Sequence, residues 1–466
     1  MPKVIRRSQS RRVAGRPAAD TLDQQLKLRG IADVLVVLNQ AAGEPLAAAV
    51  PGARARSTFG AMALSMSATT VPVATDPAGG LPMDLMSLFE SPYEASMEAE
   101  SASLTLRASG KRKRPVVSPA GGEIVPALYL DRLRMVLGSV SAGGLKGLRR
   151  HNLVKRVEAI PDLSLIRPRR LAAAQPTPEI NWGLSRLNIP ALWKQGLDGE
   201  GIKVGHLDTG ADGTHPMLKG AFAAFAEFNY IGKQVVPDPA PHDTDIHGTH
   251  TAGTIAGRPV NGHRMGVAPE ASLVSGIVIE GGKVTFRILA GLNWILHQGV
   301  RVLSMSLGIP GKADVFLEIT NVLREQGVLP VIAIGNDGPG TSRYPGNYAT
   351  VLSVGAVDDR DQVASFSSSD KMPPPPPPAR IVPDVIAPGV GVISCVPGNR
   401  YMSMDGTSMA TPHMAGLAAL LFQAKPGATP DQVEKAIFAS CRRSSGMPAD
   451  RANRGVPDAA VALSNL

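Results

Sequence analysis

Short apolar runs punctuate the second half of the chain, at 202–207, 272–279, 302–306, 328–334 and 351–357. Each is brief and almost uniformly apolar, which predicts strands buried on both faces. Segments with helical spacing lie between or after them, at 249–256, 285–297, 315–326 and 411–423. This alternation predicts an α/β fold, a mostly parallel sheet with helices on both faces. Ligands of such folds gather beyond the carboxyl ends of the strands, so chemistry is expected there.

The first third has a different rhythm. Residues 31–38, 127–137 and 154–160 read as strands, and 143–150 reads as a short helix with Leu145 and Leu148 at i,i+3. Together they predict a small α+β unit over 27–166, ahead of the α/β domain at 179–466. A run at about 41–120, rich in Ala, Ser, Pro, Gly and Met, has no period and is expected to be a flexible insert. It holds an acidic patch at 84–100 and the basic cluster Lys111-Arg112-Lys113-Arg114, whose plain reading is a solvated loop. Residues 1–26 read as a disordered basic tail, and the breaker-rich stretch 167–178 as a linker. Six prolines at 373–378 predict a stiff polyproline insertion.

Charge sharpens this division. The net charge is +9, but residues 1–175 hold 25 Lys and Arg against 14 Asp and Glu, and the remainder holds 23 against 25. The basicity belongs to the N-terminal third, which removes most support for a nucleic-acid-binding role. No apolar run is long enough to span a bilayer, so no membrane partner is expected. No apolar h-region follows the basic start, so the expectation is a cytoplasmic protein or one exported by another route. The two cysteines, Cys395 and Cys441, suit a reducing compartment; a single bridge between them stays open.

Three tight junctions carry candidate chemistry. The run 202–207 delivers Asp208 into the turn Thr209-Gly210, His247-Gly248-Thr249-His250 opens a helix, and Gly406-Thr407-Ser408-Met409 precedes another. An Asp, a His and a Ser on separate junctions are the parts of a nucleophilic triad. The imidazole removes the hydroxyl proton, and the carboxylate holds its tautomer. A fourth junction, Ile334-Gly335-Asn336, presents an amide that could donate to an oxyanion together with the Ser408 N–H. Pro412 is expected in the first helical turn, where no donor is lost.

In these stretches, and in their order Asp, His, Asn, Ser, the sequence over about 180–440 resembles the subtilisin-like serine peptidases. Gly266-Val267-Ala268-Pro269, Ser304-Met305-Ser306-Leu307-Gly308 and Pro383-Asp384-Val385 extend the likeness. The resemblance implies a serine endopeptidase working through an acyl-enzyme, with Asp208, His247 and Ser408 as triad and Asn336 in the oxyanion hole. It implies protein or peptide substrates and no required cofactor. Ser306, Leu307 and Gly308 would form a substrate-binding edge, Gly335 would line the site, and Gly281-Gly282 would form the opposite edge. The unit before Arg167 is similar to a subtilase pro-region, which assists folding, inhibits the active site and is cut off. The chain would then be a zymogen cleaved within 166–178.

Two positions depart from that pattern. The resemblance would place a calcium-binding Asp where Met217 stands, so the usual strong calcium site looks absent. The resemblance would also place Arg343, just before Tyr344-Pro345, near the floor of the specificity pocket, where it would narrow the pocket or favour acidic side chains; the plain reading is that it turns outward or pairs with Asp337. Other readings remain for test. One is a non-proteolytic partner-binding scaffold on the same fold. A second is an aspartic protease, which would need a second Asp-Thr-Gly that the chain lacks. A third is a metal site among His242, Asp243, Asp245, His247 and His250.

Overall fold

The computed structural model describes residues 21–39, 81–90, 127–161, 163–175, 180–229, 232–279, 284–373 and 380–466. The basic cluster at 111–114, Gly281-Gly282 and all but the first of the six prolines lie outside them.

The chain enters through helix α1 (Leu22–Arg29), where the sequence predicted tail through residue 26. Thr21 and Gln24 form a capping box at its start, and Gly30 ends it in the left-handed region. Strand β1 (Ile31–Leu38), helix α2 (Met83–Met86), strands β2 (Ala127–Leu130) and β3 (Met135–Ser141), helix α3 (Ala142–Leu148) and strand β4 (Val154–Ala159) follow. The apolar run at 127–137 therefore holds a turn and parts of two strands. The sheet order is β2-β3-β1-β4, all antiparallel. Alternation along β1 explains how the unit is covered: Val34 and Val36 face Leu85, Leu145 and Leu148, while Leu35 and Val37 face away into a second apolar cluster.

After the short strands β5 (Ser164–Leu165) and β6 (Arg170–Ala174) and the helices α4 (Trp182–Arg186) and α5 (Ile189–Trp193), the larger sheet begins. Its strands and helices are β7 (Lys203–Asp208), β8 (Phe222–Glu227), α6 (His247–Ala256), β9 (Ser272–Ile277), α7 (Val284–His297), β10 (Val302–Met305), β11 (Leu307–Pro310), α8 (Leu317–Glu325), β12 (Leu329–Ala333), β13 (Arg343–Tyr344) and β14 (Leu352–Val357). Then come β15 (Asp370–Met372), β16 (Arg380–Val382), β17 (Val385–Pro388), β18 (Val392–Val396), β19 (Arg400–Asp405), α9 (Thr407–Ala424), α10 (Pro430–Ser440), α11 (Ala449–Ala452) and α12 (Ala459–Ser464). Seven strands pair in the order β17-β14-β12-β10-β7-β9-β8, every pair parallel. Val204, Val302 and Val331 point to the face packed by α6, α9 and α10, while Leu207, Leu303 and Ile332 point to the face packed by α7 and α8.

The N-terminal sheet docks its outer face on that second layer. Leu35, Val37, Leu133 and Leu137 join one cluster with Leu289, Ile319 and Val322. Polar contacts ring the seam: Asp131 accepts from Asn293 Nδ2 at 2.9 Å, and Lys155 pairs with Glu318 at 2.9 Å. Where composition predicted a linker, β6 pairs over its whole length with β19. Among the described residues, no helix is long and apolar enough to cross a membrane.

Candidate active site

Asp208 ends β7, His247 is the first residue of α6, Ser408 is the second residue of α9, and Asn336 lies just beyond β12. All four stand at the carboxyl edge of the parallel sheet, and all are buried. Helix α9 starts earlier than the apolar pattern suggests, which places Ser408 in its first turn, among the unpaired N–H groups and at the positive end of the helix dipole. Pro412 therefore falls in the second turn and cannot bond back to the Ser408 carbonyl. The Ser306 hydroxyl donates to that carbonyl instead, at 3.4 Å.

His247 Nδ1 meets Asp208 Oδ1 at 2.7 Å, and the Thr209 N–H donates to the same oxygen at 2.7 Å. The Thr251 hydroxyl lies 3.3 Å from the other carboxylate oxygen. Burial opposes charge on both partners, but their mutual attraction outweighs it. The imidazole is held above its usual value and the carboxyl below its own. His247 Nε2 is buried and makes no hydrogen bond. Behind Asp208 sits a residue the sequence did not single out: His206, whose ring nitrogens meet Thr251 Oγ1 at 2.8 Å and Ser275 Oγ at 2.9 Å. Burial drives its pKa down to about 4, so it is neutral near pH 7.

Asn336 is oriented by a neighbour that sequence reading also missed. Its Oδ1 accepts from both the N–H and the hydroxyl of Thr407, each at 2.9 Å, which turns Nδ2 toward the cleft. Gly335 precedes it with φ +122°, a backbone angle that side-chain-bearing residues rarely adopt.

The cleft is filled by the chain's own segment. Strand β5 pairs antiparallel with β11, Leu165 opposite Leu307 and Ser164 opposite Gly308, and the Ile166 N–H donates to Ser306 O at 2.9 Å. The Ser408 hydroxyl donates to the Ile166 carbonyl, while Asn336 Nδ2 donates to the next carbonyl, that of Arg167, at 2.9 Å. Arg167 reaches Asp245 at 3.1 Å, and the Arg169 guanidinium donates to Asn336 O at 2.8 Å. Upstream, the Leu163 N–H is caught by the Thr285 hydroxyl of α7 at 3.1 Å. Arg343 does not turn outward: its Nε pairs with Asp337 at 2.6 Å, and its side chain is only 15% exposed.

The five residues that suggested a metal site have divergent partners. Asp243 accepts from the hydroxyls of Thr209 and Thr249, His242 approaches Glu227, His247 faces Asp208, and His250 donates to the carbonyls of Val392 and Met402. Met217 is fully buried, its carbonyl accepts from the Arg258 N–H, and a thioether is a poor calcium ligand. Both cysteines are buried and free.

The profile described as "Subtilase family" matches residues 199–458, more than half of the chain. Subtilisin Savinase of Lederbergia lenta is 41% identical over 249 residues, 53% of this chain and 86% of that protein. The M-protease of Shouchella clausii is 41% identical over the same length, which is 60% of its own chain. The major intracellular serine protease of Bacillus subtilis is 37% identical over 251 residues, 52% of this chain and 75% of that one.

Proposed function

Because the chain belongs to the subtilase family of serine-type endopeptidases, we propose that it hydrolyses peptide bonds with Ser408 as nucleophile. His247 Nε2 takes the hydroxyl proton as Ser408 Oγ bonds to the substrate carbonyl carbon. Asp208 holds the imidazole and offsets its charge. Asn336 Nδ2 and the Ser408 N–H receive the oxyanion. Collapse of the adduct breaks the C–N bond, and His247 gives its proton to the leaving amine. Water then attacks the acyl-enzyme by the same route. Ser306, Leu307 and Gly308 would hold the substrate as an added strand, with Gly335 across from them. The observation that carries this reading is the extended peptide already on β11, its Ile166 carbonyl on Ser408 Oγ and its Arg167 carbonyl on Asn336 Nδ2. A fluorophosphonate probe should label Ser408, and casein hydrolysis should vanish in Ser408→Ala. An unlabelled, inactive mature form would favour the scaffold reading instead.

The same segment supports a zymogen. In this reading residues 27–166 act as inhibitor and folding aid, 179–466 form the catalytic domain, and the first cut falls between Ile166 and Arg167. Removal would leave 26 Lys and Arg against 25 Asp and Glu, a nearly neutral enzyme. Intact mass decides this. The wild type should shorten to begin at Arg167 while Ser408→Ala stays full length; identical full-length masses would defeat it.

A further inference from the structure

Strands β13, β11 and β5 form one antiparallel sheet in that order. Its register sets Leu307 opposite Leu165, Gly308 opposite Ser164, Ile309 opposite Tyr344 and Pro310 opposite Arg343. Directly opposed residues share a face, as do residues two apart. One face then carries Leu165, Leu307, Ile309 and Tyr344, and all four pack into the apolar cluster beneath. Ile166, two residues from Ser164, belongs to the other face with Gly308 and Arg343. This is the residue whose carbonyl meets Ser408, so its side chain marks the pocket on the acyl side of the cleaved bond.

Arg343 occupies that face. A Cβ built on Gly308 would stand 3.0 Å from Arg343 Cβ, and one built on Gly335 would stand 3.1 Å from its Cγ and 3.2 Å from its Cδ. The aliphatic stem therefore spans the gap between the two glycines that would otherwise leave the pocket deep. The guanidinium is tied off beyond it, with bonds of 2.6 and 3.2 Å to Asp337 and one of 3.4 Å to Gly308 O. Its charge is met by a carboxylate, so it offers no unpaired cation to an acidic side chain.

Building on the protease reading above, we infer that Arg343, locked by Asp337, is the specificity-determining floor of this pocket, and that the enzyme cleaves after short aliphatic residues such as Val or Ile rather than after Phe, Tyr or Glu. The chain's own Ile166, 1% exposed and on the same face of the sheet, would be the side chain the pocket holds.

Fluorogenic tetrapeptides that differ only in the residue before the cleaved bond test this on the protein purified from full-length expression. Wild type should prefer Ile and Val over Phe by about tenfold or more in kcat/KM, the scale on which a filled apolar pocket discriminates. Arg343→Gly should raise the Phe-to-Ile ratio of kcat/KM at least about tenfold. Asp337→Asn keeps the floor but frees the guanidinium, and should bring in cleavage after Glu. A wild type that prefers Phe, or a Phe-to-Ile ratio unmoved in both Arg343→Gly and Arg343→Ala, would overturn the inference while the protease reading stands. Failure to cleave any peptide, with Ser408 unlabelled by fluorophosphonate, would overturn both.

Discussion

The amide of Asn336 has its orientation chosen for it. With both Thr407 donors on Oδ1, a flip would set two donors against the NH2 group, so Nδ2 stays aimed at the cleft. Asn336→Ala should therefore lower kcat by about 10²- to 10³-fold, about 3–4 kcal/mol, with KM nearly unchanged, since the lost bond matters most in the transition state. Thr407→Val should give a smaller loss of the same kind, because the amide remains but is no longer aligned. Steady-state kinetics on the processed enzyme check both; a change confined to KM would contradict the assignment. Asn336 stood out in the sequence because a Gly-Asn pair ended an apolar run. Thr407 and His206 did not, because each gains its meaning from partners far along the chain, Thr407 from Asn336 and His206 from Thr251 and Ser275.

At the scale of elements, the strands of the parallel sheet were legible because burial on both faces writes them as continuous apolar runs. Strand β8, Phe222–Glu227, was not, because it is an edge strand only partly buried and rich in alanine, without the β-branched residues that mark the central strands. Within the stretch 167–178, read as linker, the strand β6 was missed for a related reason. Arginine and alanine have weak strand preference, and β6 exists because β19 offers a ladder to complete. The grip of β5 rests on Leu165, buried with Leu307 in the apolar layer. A carboxylate there would have to leave that layer, at a cost of several kcal/mol if it stayed. In Leu165→Asp, unprocessed chain should therefore react with fluorophosphonate about tenfold faster or more than its parent. Equal labelling rates would mean that the segment does not guard Ser408.

For the molecule as a whole, buried histidines contribute to the response to acid, His215 among them, lowered by burial. His206, His250 and His413 are driven down by burial to about 4, about 3 and about 4. The unfolded chain protonates each near pH 6.5, where the folded state leaves them neutral. Their contribution to stability is complete above about pH 6.5. It falls by about 1.4 kcal/mol per pH unit for each histidine as pH drops, and levels off near pH 3–4. His247, whose pKa is raised, acts in the opposite sense and offsets part of the loss. The urea midpoint of Ser408→Ala, which cannot digest itself, should therefore fall steeply between pH 6.5 and about pH 4. A flat midpoint across that range would contradict the account.

The spread of Ser408 and Asn336 over two neighbouring carbonyls has a consequence for time. In the proposed mechanism nucleophile and oxyanion donor must meet on one carbonyl group before any bond breaks, whereas Ser408 and Asn336 address Ile166 and Arg167 separately. On the zymogen reading proposed above, the delay between synthesis and the first cut would be governed by how frequently the segment slips into alignment, against the hold of Arg167 on Asp245 and Arg169 on Asn336. Two enzymes with identical catalytic groups could thus share a turnover rate and differ widely in latency. Substitutions at those two arginines would reset that clock.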